Sequence, residues 1–111
     1  MTRDQFRRIA LSLPEAVEGA HQGSADFRVR NKIFASFGIR DPGFAVVKLS
    51  APDQDMLCSV EPKIFTPVEG AWGRRGWTKV RLKAAGAPAA RSALMAAWRT
   101  VAPKRLVEAH Q

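Results

Sequence analysis

Residues 26–37 read DFRVRNKIFASF. In DFRVR, Phe27 and Val29 alternate with Asp26, Arg28 and Arg30, the period-two pattern of a half-buried strand. Asn31 and Lys32 can turn the chain, since Asn tolerates positive φ. IFASFGI then reads as the return strand, which makes the pair an antiparallel hairpin. RDPG, residues 40–43, signals a second turn, and FAVVKLS, 44–50, a third strand. The expectation is a meander from about Ala25 to Leu49.

Outward from the meander, the chain turns helical. On the N-terminal side, Thr2 and Gln5 form a capping box, T-x-x-Q, for a helix from Thr2 to Leu13. Phe6, Ile9, Ala10 and Leu13 give it one apolar stripe, Arg3, Arg7 and Arg8 take the wet side, and Pro14 ends it. An extra short strand near Val17–His21, followed by a Gly23-Ser24 turn, is allowed for. On the C-terminal side, Ser50 with Asp53 caps a helix over about Pro52 to Val60, with Met56, Leu57 and Val60 inward. KIFTPV reads as an edge strand, because Pro67 cannot donate to a ladder. EGAWGRRG reads as a loop and WTKVRLK as the last strand, with Thr78, Val80 and Leu82 toward the core. Pro88 opens a long helix carrying Leu94, Trp98 and Val101 on one face, and Pro103 interrupts it before one or two terminal turns. The fold class is α+β, one domain over residues 1–111. It has a single antiparallel sheet of about five strands, helices on one face, and the order α-β-β-β-α-β-β-α.

The formal net charge is +8. Residues 1–55 hold eight Lys/Arg and seven Asp/Glu; residues 56–111 hold ten and three, so the excess is concentrated in the second half. Such asymmetry points to a polyanionic partner, although a solvated basic surface has the same composition. There is no apolar run long enough to span a membrane and no signal peptide, so a cytoplasmic location is expected, with a monomer as the default and no membrane partner. The single cysteine, Cys58, lies in the apolar stretch DMLCSV and reads as a structural thiol.

The stretch AWGRRGWTKVRL, residues 71–82, concentrates the candidate binding residues. Lys79, Arg81 and Lys83 recur at period two, as do Arg28 and Arg30, and would share one sheet face if their strands pair. Arg74 and Arg75 would stand at its rim, and Trp72 could stack on a base. Trp77 has the parity of Lys79, whereas Trp98 belongs to the core. Gly73-Arg74-Arg75-Gly76 matches GXXG, but it leads into a strand and lacks the helix–helix context of a KH domain.

Catalytic signals are sparse. His110 is penultimate, and His21 reads as a turn or surface residue; no nucleophile elbow or metal motif is present. No enzyme activity, cofactor or metal is expected. A pocket holding His21 with a carboxylate in hydrogen-bond reach would reopen the enzymatic reading.

The order of motifs resembles the MmcQ/YjbR family: LSLPEAVEG after the first helix, then DFRVRNKIFASF, VVKLS, GWTKVRL and AWRTVAPKRL. The resemblance covers nearly the whole chain. It implies a secretion-chaperone-like, frataxin-like α+β domain, in a family commonly described as DNA-binding through a double-wing arrangement. It supplies no catalytic or base-reading residues. Asn31 stands where glycine is common, and Asp26 adds an acid beside the strand arginines. The leading expectation is therefore nucleic-acid binding, to DNA before RNA and mainly through phosphate, by Arg74, Arg75, Lys79, Arg81, Trp72, Lys83, Arg28 and Arg30. The alternative is a protein-binding module with an apolar patch around Phe65, Val68 and Trp72.

Overall fold

The computed structural model describes residues 1–38 and 41–110. Ile39, at the end of the expected return strand, and Arg40, the first residue of the RDPG turn, lie outside them. Helix α1 spans Arg3–Leu11, and strands β1 Val17–His21, β2 Ser24–Val29, β3 Lys32–Phe37 and β4 Phe44–Lys48 follow. Then come α2 Ala51–Val60, β5 Phe65–Pro67, α3 Ala71–Arg74, β6 Trp77–Arg81, α4 Ala87–Val101 and α5 Lys104–Ala109. The strands form one open antiparallel sheet in the order β1-β2-β3-β4-β6-β5. The architecture is α+β, with six strands; the early strand at 17–21 is the sixth. None of the described helices is long and apolar enough to cross a membrane.

Local chemistry explains the element ends. Thr2 Oγ1 accepts from the Gln5 amide at 3.1 Å while the Thr2 amide donates to Gln5 Oε1 at 2.8 Å, the reciprocal capping box that satisfies two otherwise orphaned donors. At α2 the cap is one-sided: Ser50 Oγ accepts from the Asp53 amide at 3.3 Å. The first hairpin closes through Gln22 and Gly23 and the second through Arg30 and Asn31, all four at positive φ. Two consecutive residues of that conformation match the right-handed strand twist. The second turn thus falls one residue earlier than expected from the sequence, because Lys32 already pairs with Val29. A bulge follows: Phe27 pairs with Ala35 and Arg28 with Ile33, so Phe34 is the extra residue of β3.

The core lies between the sheet and α1 with α4. Phe6, Phe27 and Phe37 meet with ring centroids 5.7–6.3 Å apart in tilted or edge contacts. Trp98 is buried in α4, and its indole Nε1 donates to the Pro14 carbonyl at 2.9 Å, joining the last long helix to the end of the first.

Three expectations fail in instructive ways. Of the three α2 residues assigned inward, only Leu57 is buried; Met56 and Val60 are exposed. Helix α2 covers the short edge strand β5, which offers little area to pack on. The EGAWGRRG loop contains α3, a single helical turn. The helices are not all on one face either, since α3 borders the opposite side of the sheet.

Candidate functional site

Partners in an antiparallel pair point to the same side of the sheet, so the register defines the face away from α1 and α4. One row across it reads Gly19, Asp26, Ser36, Val46, Lys79 and Thr66. On either side of that row, Lys48 stands beside Trp77 and Phe44 beside Arg81. Lys79 Nζ lies 5.2 Å from the centre of the Phe44 ring and Arg81 Cζ 5.7 Å from it, so two cations flank one aromatic.

At the Lys48–Trp77 end, α3 raises the edge of this face. Its geometry comes from the two glycines of GRRG. A Cβ at Gly73 would overlap the Val68 carbonyl, and Gly76 takes φ +103° against the Leu49 carbonyl. The GXXG match is therefore a backbone-packing device. Gln54 fixes the same corner from α2: its Nε2 donates to the carbonyls of Gly73 and Trp77 and to Thr78 Oγ1 at 3.0–3.3 Å. The result is an exposed Trp72, 59% accessible, set edge-on to Trp77 at 6.5 Å. Arg75 stands over the Trp72 ring at 5.5 Å.

Between this tryptophan corner and the β1–β2 turn lies a cavity of about 530 Å³. Its walls include Ile33, Val46, Val68, Trp72 and Trp77, with His21, Gln22 and Ser36 as polar members. His21 is held by a fully buried carboxylate: its Nδ1 is 2.8 Å from Asp26 Oδ2. Asp26 also accepts two bonds from Arg28, at 2.6 Å from Nε and 2.9 Å from Nη2. Those Arg28 bonds, followed by the His21 bond, hold the Asp26 carboxyl below its ordinary value against the opposing effect of burial. An ionised carboxylate only accepts, which places the proton on His21 Nδ1. Nε2 has no partner among the described residues.

The eight residues assigned to binding from sequence separate accordingly. Lys79 and Arg81 lie on the outer face. Trp72 and Arg75 stand at its tryptophan corner. Arg74 is exposed on α3 but two residues from Trp72, so it projects to the other side of that turn. Arg28 is on the same face as Lys79 but three strands away, ~14 Å at sheet spacing. Its charge is taken up by Asp26, and its Nη1 donates to Asn31 Oδ1 at 2.9 Å. Arg30 is in the hairpin turn, bonded to Glu15 at 3.2 Å, so it leaves the strand face. Lys83 follows the end of β6 and lies in a turn, so the period-two row stops at Arg81. The expected patch of Phe65, Val68 and Trp72 does not form, because Phe65 is on the inner face and 1% exposed.

Sequence reasoning missed Phe44, Val46 and the His21–Asp26 pair as parts of one site. The alternation of FAVVK carried the first two: Phe44, Val46 and Lys48 share a parity. His21 and Asp26 needed the β1–β2 register, which the sequence alone left open. The pocket and nearby carboxylate that would reopen an enzymatic reading are both present. Cys58 is remote from them on α2, and burial, then the Asp55 charge, pushes its thiol pKa up. Among the described residues, no three His, Cys, Asp or Glu side chains gather as a metal would require.

The sequence model of the YjbR family matches residues 11–100. The chain belongs to the YjbR family. No curated protein matches the chain. Among solved structures, it is similar to the crystal structure of Deinococcus radiodurans protein DR2400, which carries a DUF419 domain. That likeness has a TM-score of 0.76 at 20% identity, over 94% of this chain and 80% of that one, and speaks to the fold. The YjbR match contains all six strands and α3, so every outer-face residue named above belongs to the family region.

Proposed function

We propose that this YjbR domain is a non-enzymatic nucleic-acid-binding module, directed at DNA before RNA, that uses the outer face of its sheet. The observation that carries this reading is the alternation of cations and aromatics on one surface: Arg75 with Trp72, Lys48 beside Trp77, and Lys79 and Arg81 around Phe44. Among the described residues, Asp26 is the only acid at the strand positions of that face, and it is already neutralised by Arg28. Cations supply phosphate contacts that position a strand without reading sequence, and none of the described helices lies on the outer face as a major-groove reader except the single turn α3. Anisotropy of a labelled random-sequence DNA oligonucleotide at low salt tests it. Binding that falls at least tenfold in Lys79→Glu/Arg75→Glu is expected; no binding at low salt overturns the proposal.

The His21–Asp26 pair favours a second reading, acid–base chemistry on a ligand held in the pocket. Its pocket offers a base and an orienting carboxylate, but the adjoining hydroxyl, Ser36, makes no hydrogen bond to His21 that would activate it. Intact-mass measurement of the oligonucleotide after long incubation separates the two: an unchanged mass supports the binding module, and a hydrolysed or deaminated product supports catalysis.

A further inference from the structure

We infer that the outer-face pocket receives one unpaired nucleobase, flat against Trp72 and with its hydrogen-bonding edge toward His21 and Ser36, so that the domain selects single strands over duplex. This rests on the nucleic-acid reading above and assigns that site its substrate form.

Three features of the pocket converge on this ligand. Its volume of about 530 Å³ lies within the range of small-ligand sites. Its walls are apolar and partly aromatic, and a tryptophan 59% exposed at the rim of such a cavity is a surface that a flat ring would cover. Its polar groups are few and unspent. His21 Nε2 and Ser36 Oγ make no hydrogen bond among the described residues, although both side chains line the cavity. With Nδ1 bound to Asp26, a neutral His21 presents Nε2 as an acceptor, and Ser36 can donate or accept. Together they match the mixed donors and acceptors of a base edge.

Charge selects among apolar-ring ligands. Lys48, Lys79 and Arg75 neighbour residues of the lining: Lys48 pairs with Trp77 and Lys79 with Val46 across the strands, and Arg75 stands over Trp72. The acids nearest to them in sequence are Asp53, in the first turn of α2, and Glu69, in the loop ahead of α3, which is exposed. A ring joined to phosphates satisfies both the walls and the rim. The second aromatic, Phe44, is four strand positions from Lys48, ~13 Å along β4, and can support the next part of an extended strand. A duplex cannot use this arrangement. Its bases are stacked on both faces and their pairing edges are occupied, so only an unpaired base can enter.

The test compares a thymidine oligonucleotide with a duplex of the same length, by anisotropy at fixed salt, for the wild type, Trp72→Ala, Trp72→Phe and His21→Ala. Circular dichroism melts establish that each variant is folded. The single strand should bind at least tenfold more tightly than the duplex. Trp72→Ala should weaken single-strand binding roughly 5- to 150-fold, the range of one lost base–aromatic stack, and leave duplex binding within twofold. Trp72→Phe should recover most of the loss, and His21→Ala should weaken the single strand alone. Equal binding of both forms, with Trp72→Ala affecting both or neither, overturns the base pocket while nucleic-acid binding stands. Absence of binding to either form overturns both proposals.

Discussion

Replacing Lys79 by alanine should change the salt dependence of binding by a definite amount, whereas replacing Arg28 should not. Besides Arg28, four cations stand on the outer face or at its tryptophan corner: Lys48, Arg75, Lys79 and Arg81. Arg28 already donates two hydrogen bonds to the buried Asp26 carboxylate. On a single strand each neutralised phosphate contributes about −0.7 to the slope of log affinity against log salt, giving about −2.8 for four. Between 50 and 200 mM salt that is a loss of about fiftyfold in affinity. Lys79→Ala should lower the slope to about −2.1, and Arg28→Gln should leave it at about −2.8. Anisotropy of a labelled thymidine oligonucleotide across that salt range measures both. A slope near zero, or an Arg28→Gln change as large as that of Lys79→Ala, would refute the division into free and neutralised cations.

Three further outcomes follow from the geometry. Asp26→Asn should lower the melting temperature at neutral pH. The Asp26 pKa lies below its ordinary 3.8 in the folded state, so its contribution is fully present above about that pH and fades as pH falls through the depressed value; the gap between wild type and variant should close in acid. Gln54→Ala removes the amide that holds Gly73, Trp77 and Thr78 together, and should cost about 1–3 kcal/mol in urea unfolding while raising the mobility of Trp72 seen by fluorescence anisotropy decay. Trp98→Phe deletes the donor to the Pro14 carbonyl and part of a buried side chain, and should destabilise by about 1–3 kcal/mol in the same unfolding experiment.

Much of the fold is written locally. The α1 stripe, its capping box, the Ser50 cap and the Thr78–Val80–Leu82 core parity all follow from contacts within a few residues, and each is where the pattern puts it. The site is less legible because it depends on which strands are neighbours. Arg28 and Lys79 have the same parity, but β3 and β4 separate their strands, and an acid two residues from Arg28 takes up its charge. Arg30 is lost to the face by a one-residue shift of the hairpin turn, and Lys83 by the end of β6. The loop reading of residues 69–76 failed because one turn of helix held by Gln54 leaves little periodicity to detect. The pocket itself joins His21, Ile33, Val46 and Trp72 from four elements, and no short stretch contains two of them.

The most direct measurement is a titration of ¹⁵N-labelled protein with a thymidine oligonucleotide, followed by amide chemical shifts. The outer-face account predicts that the perturbed amides cluster in Phe44–Lys48, Ala71–Arg75 and Trp77–Arg81, with the Trp72 indole N–H among the largest shifts. Shifts confined to α1 and α4, or none at saturating low-salt concentrations, would contradict it.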